Sequence, residues 1–156
     1  MADKIYNSQI INRNIKINIS NIGKNIKEFL TTKLKNELDG KCIDEGFVKP
    51  NSLDIINYSS GLIQGDSVIF STNIKLDICN PVEGIKIKCK VQDITKAGIR
   101  AKLDMESSPL VIFIARDHNN FNDKFNNTTA GDNIIVTIIG TRFELNDTYI
   151  SVIAEM

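Results

Sequence analysis

Between Ile85 and Lys102 the sequence sets six cations against one acid, a local charge of +5. Lys86, Lys88 and Lys90 alternate with Ile85, Ile87, Cys89 and Val91. Arg100 and Lys102 alternate with Ile99, Ala101 and Leu103, and Lys96 sits on the turn Lys96-Ala97-Gly98 between the two runs. Successive side chains of a strand take opposite faces, so burying the apolar set sends these cations outward. Such a row binds phosphates along a single-stranded nucleic acid, or it only keeps an exposed strand soluble and unpaired.

Three further residues extend the candidate set. Arg116 and His118 follow the apolar run Leu110–Ile114, and Arg142 follows Ile139-Gly140-Thr141. Arg142 either meets phosphate or pairs with Glu144 or Asp147. Base stacking on aromatic rings adds about 1–3 kcal/mol per base to single-strand binding. The outward positions of the second cationic run carry no aromatic; Phe113, Phe143 and Tyr149 are stacking candidates elsewhere, of which Phe113 is expected in the core instead. The expected binding is therefore weak, salt-sensitive and indifferent to sequence.

Catalysis and metal binding find no support. The single histidine, His118, has no second histidine or ordered nucleophile near it in sequence, which general acid–base or triad chemistry would need. Cys42, Cys79 and Cys89 are odd in number and far apart, unlike the clustered ligands of a zinc site. They read as reduced, half-buried thiols. Gly61-Leu62-Ile63-Gln64-Gly65 lacks the Lys-Ser/Thr of a phosphate-binding loop. No cofactor and no small-molecule substrate are expected.

The chain has 156 residues, with 19 basic and 19 acidic side chains and a formal net charge of 0. Any affinity for nucleic acid must therefore be local. Its length allows one compact domain or two small ones, burying roughly 68–70% of the unfolded surface. Lys outnumbers Arg 15 to 4, and Ile and Asn abound, as A/T-rich codons would produce. No apolar run approaches the ~18 residues of a membrane span, and no signal sequence opens the chain, so a soluble intracellular protein without membrane contact is expected.

The elements that must carry the cations follow from periodicity. Ile15–Ser20 alternates as a strand. Ile22, Ile26, Phe29, Leu30, Leu34 and Leu38 recur at helical steps, which predicts a helix starting near a Ser20 or Asn21 cap and ending at Gly40. Strands are predicted over 41–48, 53–58 and 68–78, giving an α+β layer for residues 1–80. Pro81 cannot donate to a central ladder, and the boundary is placed there. Residues 81–156 then offer five short strands near Ile85, Ile99, Leu110, Ile134 and Tyr149, which suggests an all-β five-stranded OB-fold barrel. The stretch Asp117–Gly131 reads as an Asn-rich loop without apolar periodicity.

The ordered motifs Gly40-Lys41-Cys42, Glu45-Gly46-Phe47-Val48, Gly61-Leu62-Ile63-Gln64-Gly65-Asp66, Asn80-Pro81 with Gly84, Lys96-Ala97-Gly98-Ile99, Phe113-Ile114-Ala115-Arg116 and Ile139-Gly140-Thr141-Arg142 with Asn146-Asp147 resemble one family. It is the stalk subunit of multisubunit DNA-dependent RNA polymerases: the seventh-largest subunit of RNA polymerase II and its archaeal counterpart. The resemblance covers about residues 26–156. It implies a tip domain followed by an OB domain, with no catalytic residue. It further implies docking on the polymerase core and on a fourth-subunit-like partner, with Gly61, Ile63, Gln64, Asn80 and Pro81 as candidate docking residues. The OB face would meet nascent single-stranded RNA. Relatives carry a basic residue at Asn80 and a charged one at Ile85, and many extend past the last strand. These departures and the codon bias suggest a large DNA virus, or a protist or plant-like paralogue. Localisation would then be the nucleus or, for a viral protein, host cytoplasm and virion. The alternative is a free-standing OB-fold protein of RNA-binding or translation type.

Overall fold

A computed structural model describes residues 5–105, 107–119 and 123–156, apart from the side chain of His118. Its first half is built on two 13-residue strands. β1 (Tyr6–Asn18) pairs antiparallel with β6 (Ser67–Cys79) along their whole length. On β6, Val68, Phe70, Ile74, Leu76 and Ile78 turn inward, while Lys75 faces out. β1 starts at Tyr6, well before the predicted Ile15. The stretch 6–14 is mostly polar and hides any strand period, and pairing with β6 is what satisfies its backbone.

α1 (Ile26–Leu38) buries Leu30, Leu34 and Leu38 in one core cluster with Ile11, Ile15 and Ile17 of the sheet. It begins later than predicted. Ser20 and Asn21 belong to a short 3-10 turn, where the Asn18 side chain accepts the Ser20 N–H at 3.0 Å. Ile22 and Phe29 are exposed. Gly40, at φ +67°, follows the helix as the sequence suggests.

The predicted strand 41–48 is a hairpin of two short strands, β2 (Cys42–Ile43) and β3 (Gly46–Val48). β3, β4 (Asp54–Tyr58) and β5 (Leu62–Gln64) share the second edge of β6. β5 escapes sequence reading because three residues carry no periodicity.

Residues 86–155 form a closed barrel from β7 (Lys86–Ile94), β8 (Gly98–Lys102), β9 (Leu110–Ala115), β10 (Asn133–Arg142) and β11 (Ile150–Glu155). The order is β10-β11-β9-β8-β7, with β10 closing on β7 and the β9–β11 pair parallel. This is consistent with an OB-like barrel. Cys89, Val91, Ala101, Ile112, Ile114, Val136, Val152 and Ala154 fill it. The β7–β8 turn is closed by Thr95 and Gly98, whose main chains bond each other at 2.8 and 3.2 Å. Gly98 sits at φ +155°, and a Cβ there would fall inside contact distance of the Ile114 carbonyl oxygen.

The loop expected over 117–131 is partly ordered. Two single-turn helices, α2 (Arg116–Asn119) and α3 (Asp123–Asn126), lie there, and Phe125 is buried in the barrel core. Two phenylalanines, Phe121 and Phe125, in an otherwise polar stretch are too few to mark a buried face, so packing on the barrel core is what buries Phe125. The sheet and barrel also join directly. Cys42 donates its N–H to Asp147 O at 2.7 Å and accepts from Asn146 N–H at 2.9 Å. Cys42, Phe47 and Cys79 belong to the barrel's core cluster.

Candidate nucleic-acid interface

The strand register fixes which cations meet. Ile87, Cys89 and Val91 point into the barrel, so Lys86, Lys88 and Lys90 stand on its outer surface. Arg100 and Lys102 flank the inward Ala101 on β8. Lys90 lies directly opposite Lys102 across the β7–β8 pair. Like charges so placed repel one another. Among the described residues no carboxylate comes within 4.0 Å of any of these five cations or of Lys96. Asp93, opposite Arg100, instead accepts the Ile94 N–H at 2.9 Å.

β9 changes the expected chemistry of this face. Leu110, Ile112 and Ile114 are buried, so Phe113 points outward and is 36% exposed. The expectation that it lies in the core is therefore corrected. The run Leu110–Ala115 is apolar throughout and cannot reveal its own parity; only pairing with β8 and β11 sets it. Phe113 lies opposite Arg100 on one side and opposite Ile153 of β11 on the other. The outer barrel thus offers a ring with Arg100 on one side and Ile153, half exposed, on the other.

Other candidates fall elsewhere. The Arg116 guanidinium donates to the carbonyls of Lys96 at 3.0 Å and Thr95 at 3.2 Å, and sits 5.2 Å from the Phe125 ring centre. It ties α2 to the β7–β8 turn. His118 lies in α2, but its side chain is outside the described residues. Arg142 is opposite Ser151, separated from Lys102 by β9 and β11. At about 4.8 Å per strand that is roughly 14 Å around the barrel. Its partner is Glu144 at 4.0 Å, with both side chains mostly exposed, an arrangement worth little.

The docking candidates split into two groups. Gly61, Ile63 and Gln64 lie at or beside β5, which pairs with Ser67–Ile69. Ile63 is 69% exposed, whereas a side chain at Gly61 would collide with Val68. Asn80 and Pro81 follow the far end of β6, roughly 35 Å along the strand.

The thiols are fully buried, more so than the half-buried state expected. Burial pushes Cys42 up to about 11, with a smaller contribution from Asp147. Burial also pushes Cys79 and Cys89 up to about 12, Cys42 adding to the effect on Cys79. Thiols held protonated are poor nucleophiles and poor metal ligands. No cluster of three or more His, Cys, Asp or Glu suited to a metal occurs among the described residues. Among them, too, no helix is long and apolar enough to cross a membrane.

Comparison with known proteins adds the last observation. No family model matches the chain. A curated protein of Acanthamoeba polyphaga mimivirus, named "Putative DNA-directed RNA polymerase subunit L376", is 30% identical over 151 residues, covering 85% of this chain and 72% of its own.

Proposed function

The chain belongs to the family of DNA-directed RNA polymerase subunits that includes this mimivirus protein, and from that premise we propose that it is a non-catalytic stalk subunit of a viral polymerase. In this reading it docks on core subunits and on a fourth-subunit-like partner. It guides nascent single-stranded RNA across the outer face of its barrel. The ends of the long sheet, at Ile63-Gln64 and at Asn80-Pro81, supply the docking surfaces.

One observation carries the RNA contact: Lys90 faces Lys102 with no carboxylate beside either among the described residues, next to the outward pair Arg100–Phe113. A polyanion relieves that repulsion, and the exposed ring gives a base a surface on which to stack. Lys96 extends the patch at the turn. Arg116 is given a structural role instead, and Arg142 lies too far round the barrel to join it. The single aromatic keeps readout weak, so the protein guides RNA and does not select sequence.

Affinity purification of the tagged full chain tests the assignment. Stoichiometric recovery of the two largest polymerase subunits is expected. A chain recovered alone would refute it and leave the free-standing RNA-binding reading. Binding of labelled oligouridine should drop when Lys90, Arg100 and Lys102 are changed together to Glu, and unchanged binding would refute the RNA contact.

A further inference from the structure

Lys86 and Lys88 differ from the other cations in what surrounds their main chain. β10 flanks β7 over Lys86–Lys90, but β8 flanks it only from Lys90 to Ile94. Ile85 and Val91 direct their main-chain groups at β10: Ile138 N–H to Ile85 O at 2.9 Å, and Val91 N–H to Asp132 O at 2.8 Å. Strand alternation therefore turns the N–H and C=O of Lys86 and Lys88 to the other side, beyond the end of β8. No strand pairs with them there among the described residues.

That side is a groove of about 630 Å³ between the start of β1 and the first half of β7. Ile5, Val82, Ile85 and Leu103 give it apolar walls. Val82 and Ile85 are 61% and 45% exposed. Lys86 and Lys88 stand on its rim, and Asp104 is the acid among its described lining residues.

We infer that this groove receives an extended acidic–apolar segment of another polymerase component, added as a strand to the free edge of β7. The inference rests on the polymerase-subunit reading and gives the docking surface at Asn80-Pro81, which lines the same groove, its chemistry. The free N–H and C=O groups of Lys86 and Lys88 bond the incoming backbone. Alternate side chains of the segment enter the apolar wall, and the intervening carboxylates meet the two ammonium groups. The charge balance selects the occupant: among the described lining residues, two lysines against one aspartate favour an acidic segment. The apolar walls and the unpaired backbone favour a polypeptide over RNA, whose phosphates would use the charges and leave the walls wet.

The test places p-benzoylphenylalanine at Val82 of the full chain within the assembled polymerase. Irradiation and mass spectrometry then identify what it reaches. The expected product joins Val82 to a segment of another polymerase chain in which Asp or Glu alternates with apolar residues. A synthetic peptide of that segment should bind the full chain. Lys86→Glu with Lys88→Glu should weaken it roughly tenfold, from two rim pairs turned from attraction to repulsion. N-methylation of alternate peptide amides should abolish binding in one parity and spare it in the other, which a purely apolar contact would not do. Crosslinking to RNA, to a second copy of this chain or to nothing overturns the inference, as does equal tolerance of both methylation parities. A chain that enters the polymerase yet yields no such crosslink overturns the groove alone and leaves the family assignment intact.

Discussion

Changing Lys102 to Glu should stabilise the protein and, under the proposed function, weaken RNA binding. Lys90 and Lys102 are direct cross-strand neighbours, with Cβ atoms about 5 Å apart by strand geometry. If their ammonium groups stand about 7 Å apart, they repel by roughly 0.6 kcal/mol in water, and physiological salt cuts this by about half. Glu at 102 reverses the sign, so the folded state gains roughly 0.5–1 kcal/mol. For a chain of this size that raises the melting temperature by about 1–4 °C. On RNA the same change removes one phosphate ligand and ties up Lys90. If about four to five phosphates are engaged at ~0.7 each, the log–log salt slope starts near −3, and two lost contacts move it to roughly −1.6. Thermal melts by circular dichroism and anisotropy titrations of labelled oligouridine across a salt series read the two effects. Lys102→Gln should fall between on both scales. A lower melting temperature, or a slope that stays near −3, would refute the reasoning that repulsion is retained here for a ligand.

Three more outcomes follow from the geometry. Phe113→Ala should weaken oligouridine binding about tenfold, the loss of one stacked base, while Phe113→Tyr retains it; equal binding by all three would show the ring is not a stacking surface. Gly98→Ala should destabilise by about 1–3 kcal/mol in urea unfolding, because its positive φ and the Ile114 carbonyl both oppose a side chain; an unchanged midpoint would contradict the close approach. Raised thiol pKa values mean that the folded state holds protons that the unfolded state releases from about pH 9. Stability is therefore whole below pH 9 and falls as pH rises toward 12. Urea midpoints should hold up to about pH 9 and drop from there to about pH 10.5, and less in Cys79→Ala after its own cavity cost is subtracted; a flat profile would refute the burial of these thiols.

Much of this architecture is legible in the residues. The Ile/Lys alternation over 85–91 names both the strand and its outward charges, and the five barrel strands fall where their apolar runs stand. Leu30, Leu34 and Leu38 announce the buried face of α1. What escapes reading shares a cause. β1 from Tyr6, β5 and the Phe125 turn lack a period of their own and are held by partners distant in sequence. Phe113 defeats sequence reading because a wholly apolar strand has no internal mark of inside and outside.

Residue types and their spacing suffice to define a cationic strand pair and a helix with one apolar face. Those are local properties, set by side-chain chemistry and by a period of two or 3.6. How the cations divide is settled in three dimensions. Register brings Lys90, Lys102, Arg100 and Phe113 onto one outer face, while the early end of β8 leaves Lys86 and Lys88 bordering an open groove. A strand's alternation dictates which side chains share a face, but only its hydrogen-bonded neighbours dictate what stands beside that face and where the backbone is left unpaired.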